Sequence, residues 1–171
     1  MLARKGLPAS HRANPFWRYA ALQCAMLALA VLAGGWLGLA LFAVQAATAI
    51  WQLELVNYVE HYGLSRRPLG DGRYEPVRPH HSWNADRMAS NWLLLNLQRH
   101  SDHHTHPDRP FPLLQTYDDR TAPRLPAGYP VMTAAAMVPP LWRRMMHPRV
   151  RAWRRRHYPD VTDWSGAAAP R

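Results

Sequence analysis

At 171 residues the chain is long enough for one ordinary domain. A single cysteine, Cys24, excludes an internal disulfide framework, and a net charge of +10, nearly all of it arginine, points to an anionic partner: a lipid surface, nucleic acid or an acidic protein. The mean hydropathy of −0.37 averages two unlike halves.

Residues 1–15 are polar and basic, with Arg4, Lys5, His11 and Arg12. An apolar run follows that is too long for the core of a signal peptide. No charged residue falls between Arg18 and Glu54. One straight helix of that length would overshoot a hydrocarbon core of about 30 Å. Gly34–Gly35 lies near its middle, where a turn is needed, so residues 16–58 read as a transmembrane helical hairpin with spans at about 16–33 and 36–58. Basic residues stand on both flanks (Arg12 and Arg18 before, Arg66, Arg67, Arg73 and Arg78 after) and none at the tip. The positive-inside rule then predicts an inner-membrane, multi-pass protein with both termini cytoplasmic. Trp17, Tyr19, Trp51 and Tyr58 are interface anchors in this reading. The competing view, a buried hairpin of a soluble protein, is disfavoured by so long an uncharged run between basic flanks.

Residues 59–142 read as a cytoplasmic region, helical and irregular by turns. Asn57, Glu60 and His61 carry polar groups to the end of the second span, where they face a site rather than lipid. Gly63 is a helix stop. Ser65 to Pro79 forms a loop or short hairpin. A second long helix is predicted from Ser82 or Asn84, as N-cap, to a stop at Pro107, with Met88, Trp92, Leu93, Leu94, Leu95 and Leu97 as core positions. Prolines dominate afterwards, with one helix at 131–137, and residues 143–171 form an arginine-rich C-terminal tail suited to anionic headgroups.

The chemistry concentrates in Leu97-Gln98-Arg99-His100-Ser101-Asp102-His103-His104. His100, His103 and His104 recur at i, i+3 and i+4, which puts three imidazoles on one helical face. A solvated, histidine-rich helix end is the bland alternative. Together with His61 they make a four-imidazole set without cysteine, suited to zinc, copper, iron or nickel. Glu60 and Asp102 are candidate acceptors for the rings' other N–H groups. His80, His81 and His106 are weaker ligand candidates, while His11, His147 and His157 read as surface residues.

At these residues the chain resembles a family. Asn57-Tyr58-Val59-Glu60-His61-Tyr62-Gly63-Leu64 and the Leu97–His104 stretch are similar to two signatures of the integral-membrane non-haem di-iron alkane monooxygenases. The resemblance extends to Asn14-Pro15-Phe16-Trp17-Arg18-Tyr19, to His81-Ser82-Trp83-Asn84, to Leu125-Pro126-Ala127-Gly128-Tyr129-Pro130, to Pro139-Pro140-Leu141-Trp142-Arg143 and to Pro148-Arg149-Val150. It implies terminal hydroxylation of alkanes by O2 at two histidine-held irons, with electrons from a rubredoxin and no nucleic-acid partner. It implies His61, His100, His103 and His104 as metal ligands, with Glu60, Asp102, His81 and Asn57 around them. The family's earlier histidine boxes, H-E-x-x-x-H and E-H-x-x-x-H-H, do not occur in this sequence. The expectation is therefore a C-terminal portion that needs an N-terminal half for iron and activity.

Three other readings compete. A membrane fatty-acid desaturase or hydroxylase would also use clustered histidines. A non-catalytic anchor with a basic tail would bind anionic lipid without metal. A zinc hydrolase would need a general base, and Glu60 is the one candidate.

Overall fold

The computed structural model describes residues 6–161 and 164. The fold is mostly helical, and the chain divides into two compact units between Gln52 and Leu53. The first unit is built from α1 (Phe16–His61), whose C-terminal end continues into the second. The composition of α1, alanine, leucine and valine without charge, gives a helix long and apolar enough to cross a membrane, and none of its most apolar stretch is buried.

The helix breaks at Gly34 (φ −143°, ψ 15°) and Gly35 (φ 59°, ψ −147°). Only glycine takes the second of these conformations without strain. The path turns sharply there. Ala30 and Gly38 would lie about 12 Å apart on a straight helix, yet a Cβ on Gly38 would strike the Ala30 carbonyl oxygen. Leu32 and Trp36, beside the break, are 85% and 81% exposed, so the apolar side chains cover no protein core.

The second unit begins with the last turns of α1. Gly63 ends that helix with φ 71°, and a Cβ there would come within 2.7 Å of Val150. The residue is glycine for both reasons: a left-handed C′ position and close helix approach. Strands β1 (Pro68–Gly70) and β2 (Arg73–Tyr74) pair antiparallel through a turn in which Asp71 and Gly72 both have positive φ. A 3₁₀ turn at Pro79–His81 leads to α2 (Met88–Leu93), α3 (His100–Thr105), α4 (Tyr129–Ala136) and α5 (Pro139–His157). The core gathers Val59, Trp83, Tyr129, Met132, Trp142, Met146 and Val150.

The long helix expected from Asn84 to Pro107 is two short ones. Leu95 and Asn96 adopt positive φ between them, and the Asn96 amide bonds back to the Asn91 carbonyl. Buried polar bonds override the helical period. The Gln98 side chain, fully buried, donates to Asn91 Oδ1 at 3.1 Å and accepts from the Tyr129 amide at 2.9 Å. Those bonds are worth more than one further helical turn, because a buried amide without partners costs about 1–3 kcal/mol. Trp92, Leu93 and Leu95, expected as core, are instead 61–74% exposed.

Asn84 does not cap α2. It forms an isolated parallel bridge with Arg124, and its side chain accepts from the Ser101 amide at 2.9 Å and donates to Ser101 Oγ at 2.5 Å. It thereby fixes the start of α3. The arginine-dense stretch is helical within α5. Trp142, Met146 and Val150 recur four residues apart and are buried, leaving Arg143, Arg144, Arg149, Arg151, Arg155 and Arg156 exposed, while Arg154 donates to the Gly63 carbonyl at 2.9 Å.

Candidate metal centre

Three imidazoles meet in the second unit. His61 is the last residue of α1, and His100 and His104 stand one turn apart on α3. Their Nε2 atoms lie 3.1 Å (His61–His100), 3.2 Å (His61–His104) and 2.8 Å (His100–His104) apart. Metal–nitrogen bonds of about 2.1 Å place two donors about 3.0 Å apart when they meet at right angles, and about 3.4 Å apart at tetrahedral angles. The observed triangle fits one face of an octahedron. Three neutral imidazole nitrogens so placed suit zinc, copper, iron or nickel.

The environment keeps these rings neutral. Burial, then the neighbouring imidazoles of His104, His61 and His103, hold His100 far below the ordinary histidine range. Burial, then His61 and His103, lowers His104 to about 4. A neutral ring offers a lone pair where a protonated one cannot.

The other ring nitrogen of His100 is also placed. His100 Nδ1 lies 3.3 Å from Glu60 Oε1, and both atoms are buried with no hydrogen-bond partner among the described residues. Burial raises the Glu60 carboxyl to about 8, and an N–H at His100 Nδ1 facing its oxygen would send the Nε2 lone pair toward the triangle.

Not every residue singled out from the sequence comes to this point. His103 is exposed, with its ring centroid 5.8 Å from that of His100 and 5.6 Å from that of His104, and it is not among the three converging donors. Asp102 touches none of the three. Fully buried, it accepts hydrogen bonds from Arg109 at 2.5 Å, the Gln115 amide at 2.7 Å, Tyr117 at 2.9 Å and His106 Nδ1 at 3.0 Å. Burial pushes its carboxyl up, but the Gln115 amide, Tyr117, Arg109 and His106 outweigh it and hold it below the ordinary range. Asp102 thus fastens α3 to the loop that follows. Asn57 makes no hydrogen bond to the three rings among the described residues.

A second cluster lies around His81. Glu75, His80 and His81 bring their donor atoms within 4.8 Å of one another. The Tyr158 hydroxyl stands among them, 3.1 Å from His80 Nε2 and 2.7 Å from His81 Nε2, and donates to Glu75 Oε1. Glu75 and Tyr158 carried no signal in the sequence. They are far apart in the chain, and the His80–His81 pair was the one visible hint.

Comparison with known proteins adds the wider setting. Residues 1–136 match the family model described as fatty acid desaturase. Among curated proteins, alkane 1-monooxygenase 2 of Pseudomonas aeruginosa is 50% identical over 153 residues, which is 89% of this chain and 40% of that protein. Alkane 1-monooxygenase of Acinetobacter baylyi is 51% identical over 106 residues, 62% of this chain and 26% of its own length. The xylene/toluene monooxygenase hydroxylase component of Pseudomonas putida is 30% identical over 158 residues, 91% of this chain and 40% of its own. The chain therefore spans between about a quarter and two fifths of the length of these relatives.

Proposed function

The chain belongs to the fatty acid desaturase family, and from that premise we propose that it furnishes one part of a membrane alkane hydroxylase that oxidises terminal carbons with O2. The observation that carries the proposal is the triangle of Nε2 atoms on His61, His100 and His104, 2.8–3.2 Å on a side. The similarity to alkane 1-monooxygenases gives that triangle its substrate class.

His61, His100 and His104 would hold one iron, and His103, on the same helix but turned outward, would reach a second. The chemistry iron supplies when bound is the activation of O2 for insertion of one oxygen atom into a C–H bond. This chain's residues do the rest. Glu60 holds the His100 ring with its lone pair toward the ion, the buried surroundings keep the ligands unprotonated, and Asp102 fixes α3. Histidines outside this sequence complete the pair of irons, so the chain by itself is inactive.

Residues 16–33 and 36–58 are two crossings of the inner membrane in this reading, with both ends cytoplasmic. The turn at Gly34–Gly35 and the basic flanks support it. An alkane dissolved in lipid then approaches the metal from between helices. A soluble acidic donor of the rubredoxin type reaches it from the cytoplasm, steered by the exposed arginines of α5.

Co-expression with the segment of a relative that bears the two other histidine boxes is the test. The pair is expected to bind two irons and oxidise octane with a rubredoxin. Octane oxidation by this chain alone would refute the inactivity claim. A pair that assembles in membranes but binds no iron would refute the whole reading in favour of an anchor.

A further inference from the structure

We infer that Gln23 and Gln45 are the points at which the two arms of α1 bind a further transmembrane helix, one that offers hydrogen-bonding side chains near mid-membrane. The inference rests on reading residues 16–33 and 36–58 as membrane crossings. It adds to that reading a docking face and the chemistry of its partner.

The run between Arg18 and Glu54 is free of charge but not of polar groups. Gln23 lies six residues after Trp17, and Gln45 six residues before Trp51. Counted from the glycine break, Gln23 stands eleven residues before Gly34 and Gln45 ten residues after Gly35. At about 1.5 Å per residue, both amides are about 15–17 Å from the turn. The exposed Trp17 and Trp51 mark one membrane interface in this reading, and Trp36, beside the turn, marks the other. Two arms that reverse at Gly34–Gly35 thus carry their amides to the same depth, well inside a hydrocarbon core of about 30 Å. Even the nearer tryptophan is about 9 Å away along the helix, beyond the reach of a glutamine side chain.

The half-buried positions of the two arms are Ala30, Gly38, Leu39, Phe42 and Ala46. Gly38, Phe42 and Ala46 recur every four residues, and Gly38 closes on the Ala30 carbonyl across the turn, so these positions trace the seam between the arms. Gln23 precedes Ala30 by seven residues, about two turns, and shares its face. Gln45 stands next to Ala46 and three residues from Phe42, at the edge of the same seam. Both amides border the line along which the arms meet. Both are nevertheless exposed, and neither bonds to the other or to any other group among the described residues. Thr48 shows the contrast. Its hydroxyl donates to the Val44 carbonyl of its own helix at 2.8 Å and needs no outside partner.

A primary amide offers two donors and an acceptor oxygen, and lipid tails can satisfy none of them. Polar side chains at this depth face other helices and bond across to them. The arms make no such bond with each other, so the partner comes from elsewhere in the assembly. The chain covers 40% of alkane 1-monooxygenase 2, which leaves the larger part of that protein's length to supply it. The helix that fits lies along the seam and carries an amide, hydroxyl or carboxyl group at the depth of Gln23 and Gln45.

The experiment places the full chain, fused to a fluorescent donor, in phosphatidylcholine vesicles with the segment of a relative that bears the two other histidine boxes, fused to an acceptor. Energy transfer across a lipid-dilution series reads their association. Gln23→Leu and Gln45→Leu are each expected to weaken it about threefold, and the double variant about tenfold. Gln23→Asn with Gln45→Asn, which keeps both amides, is expected to retain most of the affinity. Leucine inserts into lipid more readily than glutamine, and resistance to alkaline carbonate confirms insertion of every variant. A carbonate-resistant double leucine variant that associates as tightly as the wild type would overturn this inference alone. So would a wild-type chain that ignores the segment, or one that pairs with a second copy of itself through the same two glutamines. Extraction of the wild-type chain by carbonate would overturn the reading of two crossings, and the inference with it.

Discussion

Two histidine clusters stand in the same unit, and they differ in where their protons are. In the first, His61, His100 and His104 point three nitrogens at a common centre with no hydroxyl or carboxylate among them. In the second, His80 and His81 point at a phenol that bonds to both, and Glu75 takes the phenol's proton. Residue type does not separate the two, nor does distance. The partner of the other ring nitrogen does. Behind His100 Nδ1 stands a carboxyl group, Glu60 Oε1 at 3.3 Å, whereas the Arg78 amide donates at His81 Nδ1 and turns Nε2 into a donor. A histidine pair is better suited to a metal when an acceptor stands behind its rings.

The sharpest way to break that contrast is to delete one ring from each cluster. His100→Ala is expected to weaken Co²⁺ binding by more than about a hundredfold, above the 10–100-fold range for outer partners. His80→Ala is expected to change it by less than about threefold, since the second cluster supplies no ligand. Equal losses in the two titrations would mean the clusters are not different in kind.

Glu60→Gln probes the acceptor itself. The amide keeps the shape but cannot take on the negative charge that Glu60, raised by burial to about 8, would acquire beside a bound cation, and Co²⁺ affinity is expected to fall about tenfold. Calorimetry at a fixed pH reads that loss directly.

The smallest expected effect is on stability against acid. Burial, then His81 and His157, lowers His80 to about 4 from its ordinary 6.5. Between those values the unfolded chain binds a proton that the folded chain refuses, so stability falls as pH drops from about 6.5 toward 4. Glu75 carries the loss lower still. Burial alone would raise its carboxyl, but the Arg67 amide and the Tyr158 hydroxyl outweigh it and hold it below the ordinary 4.5. Its contribution is present above 4.5 and disappears beneath it. In metal-free protein, urea melts of His80→Gln are expected to show a shallower decline between pH 6.5 and 4 than the wild type. His104, lowered to about 4, keeps part of the slope in both.

Much of the first cluster was legible because its chemistry is local. His100 and His104 are four residues apart, on one helical face, and His61 precedes a glycine that ends a helix. Asp102 misled for the same reason in reverse. It is a neighbour in sequence, but two residues along a helix turn the side chain about 200° away from His100. There it meets Arg109, Gln115 and Tyr117 instead of a ligand. The break at Leu95–Asn96 was hidden because a leucine at φ 51° has no sequence signature, and the bonds that force it, from Gln98 to Asn91 and Tyr129, join distant segments. Arginine and proline content masked α5, although Trp142, Met146 and Val150 already carried its period. Tyr158 was out of reach altogether. Its meaning comes from a residue 77 positions upstream.

Asp102 has one more consequence. Its four bonds tie a helix of only six residues to its own C-cap and to Arg109, Gln115 and Tyr117. The barrel of α3 is therefore not free to roll, and the two nitrogens it carries move as a single jaw. The opposing jaw is one ring at the end of α1. When ions of different radius are exchanged, the give falls on His61, and the bite of the site widens or narrows from that side alone.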